Sequence, residues 1–559
     1  MTNIFGVLNT GRVGLLSQQT AIEVTGQNIA NVQTEGFTRQ KISFEASSPR
    51  RFGVSSIGTG VQLGGIERAH DQFLFTQMVE ENANLGMFNI KKNVFDHMEL
   101  LFNSNFGGGL NERFNEFYAS LQDLANNPTG LAERADVLAR GESLGAEFHR
   151  EGEALFQEQV NADKTIDAEV TEINAILSEI AQLNKSVHSN EVDSRFNAND
   201  LRDRRDKLIK ELGEKIDIKT VENGEGLITV MLGDGSPLVL GLTPLSLSTS
   251  LNGNNNGFKD INIVDINGNT TNITSKINSG KLRGLIDMRD KELDGTLDQL
   301  DRLAAGFMQE FNRIHEQGVG LDGSAGATFF TALVPVTRVN VNNTGNATIS
   351  ATNVSPTTNS VDKYEITVTT SNTFTLNNLT TGQASGTYTF SSGSGQNLIG
   401  GLSVTINGSA SIGDRFSFSV SEGASRFFEV SSTVKSNSQK IAAGKTLTRD
   451  GENARDLAGL QNKLVYDGAS LKSGSGSFTF DDFYNSIVTD LAVSARSSKI
   501  NLSQQEGLQV QLINRRESAS GVSIDEEMIN LIKFQQAFNA AARVITTVDE
   551  MLSILQNQT

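Results

Sequence analysis

The sequence predicts a mixed α and β, multidomain protein: an elongated α-helical stem formed by the N- and C-terminal parts of the chain, with β-rich domains inserted into it. Three observations predict this. Apolar residues recur every seven positions at both ends, and a proline-free stretch with helical periodicity runs from 131 to 188. From about 331 to 450 the composition shifts to Thr, Ser, Asn and Gly with few charges. A chain of 559 residues exceeds one ordinary core, so several domains of roughly 100 to 200 residues are expected.

At the start, Leu8, Leu15, Ile22 and Ile29 share one heptad position, while the companion positions Gly11, Gln18 and Thr25 are small or polar. So narrow a stripe suits close packing on another helix and is too weak to stabilise a lone helix in water. Helical patterns follow at 71–102, at 131–188 and at 194–212. In the second of these, Ile166, Val170, Ile173, Leu177, Ile180 and Val187 keep the a/d rhythm. A continuous helix there would be roughly 85 Å long. Residues 216–280 read as a small β-rich insertion, with NGNNNG at 252–257 as a turn or loop tip. Helical spacing returns at 287–315.

Within 331–450, Tyr364, Ile366 and Val368, then Phe416, Phe418 and Val420, alternate with polar residues as strands facing a core on one side. SSGSGQN at 391–397 marks a break between such strands. A helix is expected at 481–516. The last segment holds the clearest signal, with Leu531, Phe538, Ile545 and Leu552 at one heptad position and Phe534, Ala541, Val548 and Leu555 at its companion.

These elements group into domains. Residues 1–36 with 521–559 are expected to form a terminal coiled-coil polymerisation domain. Residues 37–215 with 281–330 and 451–520 form a helical stem, 216–280 a small β-rich insertion, and 331–450 one or more outer β-rich domains. A chain that leaves a stem, builds β domains and returns brings both termini to one end, with the two heptad helices side by side. Apolar residues at helical spacing are ordinarily core; the strict period at both ends favours an oligomerisation surface. The candidate interface residues are Leu8, Leu15, Ile22, Ile29, Leu531, Phe534, Phe538, Ile545, Val548, Leu552 and Leu555. In the isolated monomer these helices are expected to be largely disordered until assembly supplies partner surfaces.

Composition narrows the function classes. There are 65 acidic against 47 basic residues, a net charge of -18, which repels nucleic-acid phosphates and anionic membranes. No run approaches the roughly 20 apolar residues of a membrane span, and the start lacks the pattern of a Sec signal peptide. Cysteine is absent, which removes disulfides, thiolate metal sites and cysteine nucleophiles. It also suits a chain that passes unfolded, or between redox compartments, without forming wrong crosslinks.

Catalytic motifs are unconvincing. His70, His97, His149, His188 and His315 are scattered, without the spacing of a zinc site. GVGLDG at 318–323 follows a helical pattern instead of a strand, and reads as a helix C-cap and loop. GESLG at 141–145 lies within a helix, where Ser143 cannot sit on a nucleophile elbow. Asp265, Asn267 and Asn269 open like a calcium loop, but Thr270 and Lys276 stand where Gly and Glu are needed, so a turn between strands is expected. NDLRDRRDKLIKEL at 199–212 reads as a solvated helix laced by i,i+4 charge pairs. No catalytic, cofactor or metal residue is assigned, and no enzyme activity is expected.

NIANVQTEGFTRQ at 28–40 resembles the signature shared by flagellar rod, hook and hook-associated proteins, and 520–555 resembles that family's C-terminal helix. The stretches at 57–74, 199–212 and 280–293 are similar to the hook-associated members in particular. Phe37 stands where many relatives have Tyr, and the region 331–450 is largely unmatched. The resemblance implies a structural subunit of the flagellum at the junction of hook and filament, needed before filament assembly, exported unfolded through the flagellar type III apparatus and located outside the cell. It implies as partners further copies of the chain, the hook protein, hook-associated protein 3 and a dedicated export chaperone on the C-terminal segment. It implies no cofactor and no membrane anchor. The alternatives are another axial role, as rod or hook protein, and a secreted adhesin that uses the β domains to engage a surface.

Overall fold

The computed structural model describes residues 2–52, 55–102, 109–191, 197–354, 359–390, 393–399, 401–467, 470–471 and 476–557. The chain opens with helix α1 (Thr2–Ala30) and then strands β1 (Gln40–Ala46), β2 (Arg50–Phe52), β3 (Ser55–Ile57) and β4 (Val61–Arg68). β1 and β4 pair antiparallel, Gln40 opposite Arg68, and β2 pairs with β3. These strands lie within the stretch read from sequence as helical stem. Their apolar residues alternate, but Gly58, Gly60, Gly64 and Gly65 thin the pattern.

Four helices follow: α2 (Gln72–Phe102), α3 (Leu110–Asn126), α4 (Leu131–Asn190) and α5 (Asn199–Lys215). With 60 residues, α4 is about 90 Å long. One sheet then contains β5 (Ile218–Glu222), β6 (Ile228–Leu232), β7 (Pro237–Leu240) and β8 (Thr243–Pro244) in that order. Another contains β9 (Ser246–Leu251), β10 (Lys259–Val264) and β11 (Thr270–Asn272), with β10 central. Helix α6 (Gly280–Asp287) runs through a π-helical turn, Met288–Leu293, into α7 (Asp294–His315).

The outer region holds β12 (Val336–Val339), β13 (Thr348–Asn353), β14 (Tyr364–Thr370), β15 (Thr373–Asn378), β16 (Gln383–Thr389), β17 (Gln396–Ile399), β18 (Leu402–Asn407) and β19 (Arg415–Ser419). They form sheets of order 12-19-14-15-16 and 13-18-17. Tyr364, Ile366, Val368, Phe416, Phe418 and Val420 are buried, as their alternation requires. Strand structure stops at Ser419, short of 450. The chain then returns as turns and short helices, α8 (Ser432–Ser436) and α9 (Glu452–Ala458), because Phe428, Val430, Val434 and Ile441 pack on the stem. Strands β20 (Tyr466–Asp467) and β21 (Ser470–Leu471) lead to α10 (Phe480–Ser520) and α11 (Ile524–Asn557). A capping box between Thr479 and Asp482 starts α10. Of the stretches 194–212 and 391–397, residues 194–196 and 391–392 lie outside the described residues.

Two cores hold the stem. The first half of α4 contributes Val137, Leu144, Phe148 and Leu155 to an aromatic core with Phe114, Phe117, Phe307, Phe311, Phe330 and Phe428. Phe148 stacks on Phe428 at 4.6 Å, and Phe114 meets Phe307 edge-on at 5.0 Å. Gly145 belongs to this packing: a Cβ there would stand 2.8 Å from the Phe428 carbonyl oxygen. The second half of α4 places Ile166, Val170, Ile173, Leu177 and Ile180 in another core with α5, α6 and both small sheets. Helix α10 lies along α2, where Leu512 meets Leu74 and Met78. Its last residue delivers the chain to α11, which pairs with α1.

Candidate assembly surface

Helices α1 and α11 pack on one another in the structure, each supplying a surface to the other. Their contact uses small residues. On α1 the buried positions are Gly11, Ser17, Ala21, Val24, Thr25 and Asn28. A Cβ on Gly11 would stand 3.1 Å from Ile545 Cγ1 and 3.5 Å from Val544 Cγ1. Leu8, Leu15, Ile22 and Ile29 flank this contact and are only partly buried. On α11, Val548 is buried, and Leu531, Phe534, Phe538, Ile545 and Leu552 are partly buried. Leu555 lies on α11, but its side chain is outside the described residues.

Pairing leaves a second apolar stripe uncovered, which the heptad pattern did not identify. It includes Phe5 (58% exposed), Ile529 (66%), Ile532, Val544, Met551 and Ile554 (58%). The run INLIKF at 529–534 carried the signal, since its apolar residues cannot all face one side of a helix. A groove of about 440 Å³ between the helices is walled by Ile4, Val7, Val544, Val548 and Met551. Exposed apolar surface of this extent makes the helix pair a candidate interaction site.

The signature segment 28–40 forms the joint between this pair and the stem. Gly36, at φ +88°, lets the chain turn after α1. Asn28 is 1% exposed; its amide donates to the Gln40 carbonyl at 2.9 Å and to Glu527 at 3.3 Å, and its oxygen accepts from the Gln40 N–H at 3.0 Å. Arg39 bonds Glu527 at 2.7 Å and Glu526 at 2.8 Å, and its N–H donates to the Ser520 carbonyl. Phe44 meets Phe534 edge-on, with ring centres 6.2 Å apart. Phe37 is half-buried at a cavity of about 650 Å³ that also touches α2, α5 and α10.

On the stem side the joint is α5, whose charged run is solvated on one face only, at Asp200, Arg204, Lys207 and Glu211. Asn199, Asp203, Arg205 and Asp206 are buried. Arg68 of β4 bonds Asp203 and Asp206, each at 2.7 Å, and Asp203 accepts the Thr38 N–H at 3.0 Å. Gln40 donates to Asp200 at 3.1 Å. Arg205 donates to Asn184 and to the Gly226 carbonyl, and Arg202 pairs with Glu191 and Glu222. The helix packs against α2 and α4 and is bonded by Arg68 of β4, so its charges pair with other elements instead of at i,i+4 within the helix, and only one face is solvated as the sequence predicts. Burial pushes the Asp203 carboxyl above its ordinary value, while Arg68 and Thr38 pull the other way.

The discounted chemical motifs fall in structural roles. The loop 318–323 follows α7, and Ser143 sits inside α4. Asp265 accepts from Asn267 and Asn269 within its own turn. His315 is buried, with Nδ1 2.5 Å from the Ala327 carbonyl oxygen and Nε2 accepting from the Ala442 N–H at 2.8 Å. Among the described residues no group of three or more His, Cys, Asp or Glu is placed to hold a metal, and no helix is long and apolar enough to cross a membrane.

Known proteins resemble the chain along its length. A family model described as the flagellar hook-associated protein FlgK helical domain matches residues 95–330. Models for the flagella basal body rod protein and for the flagellar basal body rod FlgEFG protein C-terminal region match 8–38 and 515–558, which include most of α1 and all of α11. Flagellar hook-associated protein 1 of Escherichia coli (strain K12) is 26% identical over 558 residues, covering 99% of each chain. That of Bacillus subtilis (strain 168) is 27% identical over 588 residues, covering 100% of this chain and 99% of the relative. The structure of the flagellar hook junction protein FlgK from Burkholderia pseudomallei shares the fold, with a TM-score of 0.69 and 20% identity, covering 79% of this chain and 100% of that one.

Proposed function

We infer the function from the premise that the chain belongs to the flagellar hook-associated protein 1 family: it is a structural subunit of the bacterial flagellum, forming the junction between hook and filament and required for filament assembly. The observation that carries the mechanism is the α1–α11 pair, which keeps a second apolar stripe exposed while its root is fixed to the stem by buried charge pairs. Leu8, Leu15, Ile22, Ile29, Leu531, Phe534, Phe538, Ile545, Val548 and Leu552 build the pair and its flanks, and Leu555 continues the heptad position of Phe534 and Val548 in sequence. Further copies of the chain cover what remains.

Burying a large apolar side chain contributes roughly 1.5 to 3 kcal/mol, and ordering entropy offsets much of it. Polymerisation on this surface therefore depends on a template. The hook end is that template, and hook-associated protein 3 takes the opposite face of the junction. Export runs through the flagellar type III apparatus, with a chaperone held on 521–559 as an amphipathic helix in a groove. The cysteine-free sequence supports such a route.

Electron microscopy of cells lacking the gene, with flagellin assayed in the medium, tests the reading. Intact hooks without filaments and with shed flagellin are expected. Missing hooks would move the protein to rod or hook, and normal filaments would favour an adhesin.

A further inference from the structure

The outer β region rests on the stem at its base, where Gln309 of α7 donates to the Asn359 carbonyl at 2.8 Å and the buried residues of both form one continuous core. A second attachment lies to the side. The loop 252–257 between β9 and β10 reaches across from the small β-rich insertion. The Asn254 side chain donates to Asn340 Oδ1 at 3.1 Å and accepts from the Val341 N–H, both just beyond β12. A Cβ on Gly253 would stand 2.6 Å from Val341 Cγ1, so the backbone itself abuts the outer region. Between them lies a small cleft of about 200 Å³.

Nearly every residue of the loop serves this reach. Asn252 closes the turn on the Asn254 N–H, while Asn256 (φ +52°) and Gly257 (φ +78°) take left-handed conformations. Asn255 donates to Asp290 at 2.8 Å, in the π-helical turn before α7. Asp290 is gripped by both Nε and Nη2 of Arg289. Arg289 is fully buried, bonds Asp163 of α4 at 2.7 Å and the Lys259 carbonyl at 2.9 Å, and lies over the Phe258 ring. The π turn displaces Arg289 and Asp290 from an ordinary helical register, a deviation common where a helix serves a special role.

We infer that the 252–257 loop is a lateral strut that fixes the tilt of the outer β region on the stem, transmitting the Arg289–Asp163 anchor to Asn340 and Val341. Base and strut together make two separated points of support, which suppress rocking that the base alone permits. The contact is polar and partly solvated, so it opens without exposing core.

The cysteine-free chain makes the test direct. Spin labels on Cys introduced at the exposed positions Lys185 on α4 and Ser350 on β13 report the stem-to-outer distance in the full-length protein. The parent should give one narrow distribution. Asn254→Ala, which removes both side-chain bonds, and Gly253→Val, which crowds the loop against the Val341 side chain, should each broaden it at least twofold or add a second distance. Unchanged narrow distributions in both variants overturn the strut; so does a parent that is already as broad as the variants.

Discussion

Gly11 gives a graded test of the α1–α11 contact. A Cβ there would lie 3.1 Å from Ile545 Cγ1, 3.5 Å from Val544 Cγ1 and 3.7 Å from the Ala541 carbonyl oxygen. In Gly11→Ala the nearest atom is Cγ1 of the partly buried Ile545, which must give by a few tenths of an ångström. The gain in helix propensity, about 1 kcal/mol, offsets that strain. Gly11→Leu adds three more carbons against a backbone carbonyl that cannot yield, so the helices must separate. Overpacking of this kind costs about 1 to 3 kcal/mol. In a polymer that loss recurs in every subunit and raises the concentration needed for assembly by about 5- to 150-fold. The assay is filament number by electron microscopy, with flagellin and the variant itself measured in the medium. Gly11→Ala should assemble normally. Gly11→Leu should leave bare hooks with flagellin and variant both exported. Normal filaments with Gly11→Leu would show that the working junction does not pair these helices through Gly11.

Phe538→Asp places a carboxylate on the same helix pair; filaments should be lost while the circular dichroism and melting of the β domains stay as in the parent, and normal incorporation of the variant would rule the surface out. Arg68→Ala leaves Asp203 and Asp206 facing each other in a buried site, so a loss of about 3 to 5 kcal/mol is expected by denaturant titration; a loss below about 1 kcal/mol would mean the network fixes nothing. His315 gives a pH prediction. Burial is the main cause that lowers it to about 4 from an ordinary 6.5, and protonation would turn Nε2 into a donor facing the Ala442 N–H. Its folded-state value is depressed, so the unfolded chain takes up the proton first. The associated stability is complete above 6.5 and is lost as pH falls toward 4, about 3 kcal/mol in all. His315→Gln should flatten that part of the pH profile; an unaltered profile would contradict the assignment.

Periodic elements were legible because burial repeats along them. The 60-residue α4 and the strands at Tyr364 and Phe416 follow from residue type and spacing alone. What stayed hidden depends on partners distant in sequence. NDLRDRRDKLIKEL looks like a solvated helix until Arg68, 135 residues before Asp203, is seen to reach it. NGNNNG is legible as a turn, but its reach to Asn340 requires knowing where the outer region sits. On the terminal helices the heptad pattern marks the two segments that pair, yet the close approach is at Gly11, beside Ile545 and Val544. Small residues permit close approach and carry no hydropathy signal.

The contrast between apolar cores and polar joint has a mechanical meaning. Two apolar faces can slide or rotate with little loss, since hydrophobic burial is non-directional. A buried guanidinium between two carboxylates tolerates one arrangement, because displacement leaves an unpaired charge out of water at about 3 to 5 kcal/mol. The Arg68–Asp203–Asp206 cluster and the Asn28–Gln40–Glu527 bonds therefore do little to drive folding and much to fix the angle at which the α1–α11 pair leaves the stem. The proposed polymer needs that angle repeated in every subunit: in that reading the apolar stripe supplies attraction, and the polar joint aims it.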